Sequence, residues 1–330
     1  MTEGNLQLLW DASVSRNTHK AYQAGINAFL LFMTTCGLAR DNLHQALSEH
    51  VLLMFVAYCA KTLRLRYATI KLYLSAVRFM YLRKGVASPW TTGDTVRLQT
   101  VVKAVKREQT PVTSVRQPIT NTVLYDMCRA LTSEVFPHDV SVLMKAASCL
   151  AFFGFLRCGE FTCDFFHPDF NLCMSSVIFH ADLSQFTLLL KSSKTDPFRE
   201  GVQLRFFKNG LTICPVASML TYCLWRRSSS PREMDPLFIS PDGKALTRRY
   251  FIAKMRLLLQ AAGYDQTIFN GHSFRIGAAT SAAAEKIPDH MIQRLGRWTS
   301  QCYTRYIRTP ETAIENALRV LSGATEGGGC

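Results

Sequence analysis

The sequence lacks a long hydrophobic run. Its longest uninterrupted apolar stretch, Val51–Ala60, is ten residues, and a membrane-spanning helix needs about twenty. The opening MTEGNLQLLW carries Glu3 and no basic residue ahead of a short apolar stretch. No secretory leader is expected from that pattern. Paired-cysteine motifs are missing too. There are eleven cysteines, an odd number, and no CxxC pair. Cys158 and Cys163 lie five apart without the second ligand pair of a zinc knuckle, and His167 and His180 stand at no ligand spacing. No metal site is expected. The thiols read as reduced and mostly buried, as in a cytosolic or nuclear protein. Low complexity is confined to the Gly-rich end, which reads as a frayed tail, and no internal repeat is found.

Acid is scarce where base is dense. Across 61–107 stand eleven Lys+Arg and one acid, Asp94. A stretch this one-sided repels itself unless a polyanion neutralises it. It reads either as a solvated helical face or as a surface that tracks phosphates. The whole chain, 330 residues with a net charge of +14, follows the same bias: residues 1–110 carry +8. With 48% hydrophobic residues the chain can build sizeable cores, and its length suits two domains.

The first 110 residues read as helices. Tyr22, Ile26, Phe29 and Met33 form one stripe behind an N-cap at Ser15 or Thr18. A second helix is expected from Glu49 to Lys61 behind Ser48, apolar nearly all round and so central. A third spans Tyr67 to Arg83, with Ile70, Leu74, Val77 and Tyr81 inward. A fourth spans Asp94 to Arg107. The segment 108–120, with two prolines and no periodicity, reads as a linker. This gives a helical domain over 1–110 and a second domain over 119–330. The second opens with helices at 121–133 and 138–153. Short β-rich runs follow at Ser175–His180, Phe186–Lys191 and Val202–Phe206. Helices resume at 214–226, 247–262, 272–285 and 288–296, and an amphipathic segment, 310–322, closes the chain. The fold class expected is mainly α with a small β-sheet.

Four features of the second domain matter jointly. They are Arg157-Cys158-Gly159-Glu160 after a helix break at Gly154, Lys194 on the turn between two strands, His272-Ser273-Phe274-Arg275 at a helix start, and Leu295-Gly296-Arg297-Trp298 followed by Tyr303 and Tyr306. Two arginines offer planar forks for one phosphate. A histidine one turn from an arginine can hold or move a proton on that phosphate. A lysine can protonate a departing alkoxide. A phenol can attack phosphorus, and the surrounding positive charge favours the charge that grows on the phosphoryl group. None of this needs a metal or another cofactor.

R157-x-x-E160, the turn lysine, H272-x-x-R275 and LGRW followed by RYIR resemble the tyrosine recombinase (phage-integrase-like) superfamily. SRNTHKAYQAGINAFLLF and LYLSAVRFMYLRKG resemble its helical core-binding domain. The resemblance covers 8–310, and its style is most like recombinases of eukaryotic mobile elements such as the DIRS-like, Ngaro-like or Crypton groups. It implies a SAM-like helical core-binding domain followed by a mixed α/β catalytic domain. It also implies a DNA strand-exchange enzyme with Tyr306 as nucleophile, Arg157 and Arg275 as phosphate clamps and Lys194 as general acid. His272 would assist proton transfer, Trp298 would donate to phosphate, and Glu160 would orient its neighbours. Trp298 to Tyr306 is eight residues, one fewer than in the best-known members, so Tyr303 is a rival nucleophile; Lys191 is a rival to Lys194. Lys71, Arg78, Arg83, Lys84, Lys103, Lys106 and Arg107 are the expected DNA contacts. Partners implied are double-stranded DNA and three further copies of the chain, a homotetramer on two duplexes. The alternatives are a domesticated DNA-binding protein that no longer turns over and a type IB topoisomerase. The location expected is the nucleus if the source is eukaryotic, otherwise the cytoplasm.

Overall fold

The structure is a computed structural model that describes residues 3–38, 45–93, 95–110, 116–132, 135–193, 196, 198–309 and 311–321. The chain divides into two compact units, Met1–Thr113 and Ser114–Cys330. Each has its own hydrophobic core.

The first unit is helical throughout its described residues. Its elements are α1 (Glu3–Ala12), α2 (Arg16–Thr35), α3 (Glu49–Ala57), α4 (Tyr67–Lys84), α5 (Pro89–Thr92) and α6 (Val96–Glu108). Ser15 caps α2 by accepting from the Thr18 amide, and Ser48 caps α3 by accepting from Val51. The stripe Ile70, Leu74, Val77 and Tyr81 is buried on α4. It packs with Phe29 and Phe32 of α2 and Phe55 of α3. The helix expected to run to Lys61 stays α-helical to Ala57 and then widens into a π-turn over Tyr58–Thr62. No sequence signal marks α1, because Leu6, Leu8 and Leu9 are exposed and form no buried stripe. Trp10 nevertheless ties it down, edge-on to Phe79 of α4.

The second unit is built around α8 (His138–Phe153), whose residues are buried along most of its length. Around it lie α7 (Asn121–Ala130), α9 (Cys158–Phe161), α10 (Pro215–Arg227), α11 (Arg248–Ala261), α12 (Ser273–Ala284) and α13 (Asp289–Leu295). An antiparallel sheet in the order β1 (Val177–Phe179), β2 (Gln185–Leu190) and β3 (Val202–Phe207) follows α9. Its register pairs Val177 with Leu188 and Leu188 with Leu204. The side chains alternate in and out, which puts Phe186, Leu188 and Leu190 in the core. A short 3₁₀ turn over Gln301–Arg305 leads to α14 (Glu311–Leu321).

Residues 116–120 are locked onto α12. The Ile119 amide donates to the Ser273 carbonyl, and Gln117 donates to Ile268. Gly277 permits this approach, since a Cβ there would overlap the Ile119 carbonyl. Among the described residues, no helix is long and apolar enough to cross a membrane.

Candidate active site

The site begins where α8 ends. A helix C-terminus leaves carbonyls without intrahelical partners and carries partial negative charge. Gly154 caps α8, and Phe155 follows in the left-handed region at φ 48°. A non-glycine residue there costs on the order of 1–3 kcal/mol. The two carbonyls so presented receive two arginines. Arg297 Nη1 donates to Gly154 at 3.0 Å, and Arg275 Nη1 donates to Phe155.

Arg157 comes next in the chain, just before α9. Glu160, one turn on, accepts the Arg157 amide at 2.9 Å and pairs with its Nη1 at 2.9 Å. This is why the two residues stand three apart. Oε1 takes the Arg157 guanidinium, while Oε2, which accepts the Arg157 amide, also holds Arg297 Nη2 at 2.9 Å. One buried carboxylate thus fixes two guanidiniums.

Arg275 enters from the first turn of α12 and is fully buried. Its Nη2 donates to the Gly296 carbonyl. Burial first, and then the positive charge of Arg157 and Arg297, push its pKa below the ordinary arginine value. It remains cationic, and its Nε has no protein partner. Of its five N–H groups, two are spent on carbonyls.

Leu295-Gly296-Arg297-Trp298 is a reversal. Arg297 has φ 56°, and Trp298 folds back over Gly296, where a Cβ would overlap the indole. The Trp298 ring then lies 4.2 Å from the Arg275 guanidinium and 5.1 Å from the Tyr306 ring. Its Nε1–H is buried without a partner. Tyr306 lies 5.8 Å from the same guanidinium. Tyr303 is placed differently: its hydroxyl donates to Asp289 at 3.1 Å, and burial and that carboxylate raise its pKa.

His272 precedes α12, half-buried, with Nδ1 unpartnered. Its pKa is pushed down by burial first, then by Arg248, Arg116, Arg275 and Arg157. Burial and these positive charges oppose protonation, so they favour the neutral ring. Arg248 and Arg116 are the residues that sequence reasoning missed. Arg248 opens α11, is exposed, and has no ion pair among the described residues. Its distance in sequence from every motif hid it.

Lys194 lies outside the described residues. Its rival Lys191 is engaged, with Nζ 2.7 Å from the Pro168 carbonyl and 3.3 Å from Cys173 Sγ. Among the described residues, no His, Cys, Asp or Glu cluster could hold a metal ion.

In the first unit, Lys71, Arg78, Lys84, Lys103, Lys106 and Arg107 are all exposed. Lys71 of α4 and Lys106 of α6 both approach the Tyr67 ring, at 5.8 and 5.6 Å. Lys71 and Lys106 therefore bring one cation from each of two helices to the same ring. Arg83 is instead paired with Asp11 at 3.1 Å.

This fold is that of the tyrosine recombinases and integrases. The XerH site-specific recombinase bound to palindromic difH substrate in a post-cleavage complex matches with a TM-score of 0.63 and 15% identity, over 92% of this chain and 79% of that one. The Tn1549 transposon integrase in complex with circular intermediate DNA matches at 0.55 and 13%, over 92% and 94%. A lambda integrase dimer bound to a COC′ core site matches at 0.54 and 16%, over 92% of each. No protein-family model matches the sequence, and no curated protein sequence does.

Proposed function

We propose that this chain is a tyrosine recombinase that cuts and rejoins double-stranded DNA through a covalent 3′-phosphotyrosyl intermediate, in integration or site-specific recombination. The observation that carries the reading is the cluster of Arg275, Trp298 and Tyr306 in mutual contact, with Arg157 and His272 coupled to the same charge.

In the proposed reaction the Tyr306 oxygen attacks the scissile phosphorus. The new O–P bond replaces the bond to the 5′-oxygen, and the Tyr306 proton passes to a base for which neutral His272 is suited. Lys194 supplies the proton that the departing 5′-oxygen needs. Arg157, Arg275 and the Trp298 N–H hold the non-bridging oxygens as charge grows on them. The ester keeps the energy of the broken bond, so a second 5′-hydroxyl can reverse the step without cofactor. Tyr303 is the weaker nucleophile candidate, because its hydroxyl is committed to Asp289. The basic residues of α4 and α6 would grip the DNA backbone without reading sequence.

One feature favours recombination by an assembly over a topoisomerase acting alone. Ile314, Leu318 and Leu321 of α14 are exposed on one apolar stripe, which suits docking on a neighbouring copy.

The test is covalent capture. The protein is incubated with a pool of nicked, random-sequence duplexes and then denatured. Wild type is expected to retain DNA, and Tyr306→Phe to retain none. No adduct from wild type, or an undiminished adduct from Tyr306→Phe, overturns the reading.

A further inference from the structure

The chain around Tyr306 has little regular structure to hold it. Past Arg305, residues 306–309 lie in neither helix nor strand. Their hydrogen bonds to one another and to Tyr303, Thr304 and Arg305 are local. Local bonds shape the segment but do not fix it to the rest of the unit.

The Tyr306 ring and the Ile307 side chain pack against the core, but among the described residues the backbone itself is tied to the rest of the unit by the hydrogen bonds of one side chain. Thr280 of α12, 8% exposed, donates its hydroxyl proton to the Tyr306 carbonyl at 3.3 Å and accepts the Arg308 amide at 3.0 Å. A hydroxyl has one proton and two lone pairs, so a single oxygen satisfies both groups at once. The two backbone atoms flank Ile307, whose side chain packs against the core. A mid-helix threonine usually bonds its own i−4 carbonyl. Here the hydroxyl reaches across to another segment instead, and the β-branched side chain has few rotamers in which to do so.

We infer that Thr280 is a positioning residue for the nucleophile. It pins the backbone of Tyr306 to the same rigid helix that carries Arg275, five residues and roughly 7.5 Å earlier along the axis. The group that grips the phosphate and the group that attacks it then share one body, and their separation does not depend on the loop between them. This rests on the reading of Tyr306 as the nucleophile. Thr280 touches neither substrate nor reacting atom, so its effect belongs on the rate of the chemical step and not on DNA affinity.

The experiment compares Thr280→Val, which keeps the shape and removes the hydroxyl, with Thr280→Ser, which keeps the hydroxyl. Both are measured on the duplex recovered with wild type, for affinity and for single-turnover adduct formation. Thr280→Val is expected to bind like wild type and to form adduct about 10- to 100-fold more slowly, with Thr280→Ser restoring most of the rate. Equal rates for Thr280→Val and wild type overturn the proposal while leaving the nucleophile reading intact. Undiminished adduct from Tyr306→Phe sinks that reading instead. If Thr280→Val does not fold, Thr280→Cys takes its place, since a thiol is a weak donor of similar shape. Thr280→Cys reacting as fast as Thr280→Ser then overturns the proposal.

Discussion

The Arg275 guanidinium lies over the Trp298 ring, 4.2 Å from its centroid, while its two outer nitrogens bond the carbonyls of Phe155 and Gly296. A group buried this completely is held by its shape. Lysine offers a single nitrogen, which cannot reach both carbonyls and stack on an indole. Arg275→Lys is expected to leave one buried carbonyl unpaired, costing on the order of 1–3 kcal/mol, and to abolish covalent capture. Urea titration and the adduct assay read the two losses separately. Wild-type stability in the variant would contradict the structural half of this account.

Glu160 compensates two guanidiniums. Its carboxylate has a side-chain exposure of 4%, against 16% for Arg157 and 13% for Arg297. Glu160→Gln keeps the volume and turns an acceptor into a donor facing donors. The expected cost is about 3 kcal/mol, read as a lower urea midpoint. Because the pairs are largely buried, added salt should change the difference little.

Trp298 supplies both a stacking face and an unpartnered N–H. Trp298→Phe keeps most of the face and loses the donor. The variant should fold and bind DNA, yet form adduct roughly 100- to 1,000-fold more slowly. A rate equal to wild type would make the indole a packing group only.

His272 gives the site a pH signature. Its native pKa lies below the ordinary 6.5, through burial first and the neighbouring arginines after. The neutral ring is the native form, so below 6.5 the unfolded chain binds a proton that the folded one resists. The stability this contributes is complete above 6.5 and is lost as the pH falls through the lower native value. Urea midpoints measured above and below 6.5 should fall further in wild type than in His272→Gln. A phosphate in the site offsets the guanidinium charge, so bound DNA should raise the His272 pKa, and proton NMR of the ring would follow it.

α14 yields a prediction of a different kind. Leu318 is 60% exposed. Leu318→Ser should leave Tm unchanged and weaken association of copies on DNA, measured by sedimentation of the DNA complexes. A lower Tm would mean that the stripe packs on its own unit.

What the sequence made legible was periodic or local. The stripe of α4 and the β2 alternation of Phe186, Leu188 and Leu190 were readable because burial repeats at the period of the element. The R157-x-x-E160 spacing was readable as one helical turn. Three kinds of fact were not. Exposed apolar residues hid α1, which is attached through the Trp10–Phe79 ring contact and the Asp11–Arg83 ion pair. The positive φ of Phe155 and Arg297 was hidden because neither is glycine, and surroundings rather than propensity hold them there. The influence of Arg248 and Arg116 on His272 spans more than twenty residues each, and nothing in spacing encodes it.

The winding between Trp298 and Tyr306 has a consequence for reach. Five residues, Gln301–Arg305, are coiled as a 3₁₀ turn, which climbs about 2.0 Å per residue against about 1.5 Å in an α-helix. They cover about 10 Å, the span of between six and seven residues wound as α. A tighter coil is a longer ladder for the same number of rungs. That reach carries the chain from the indole to a phenol ring 5.8 Å from the Arg275 guanidinium.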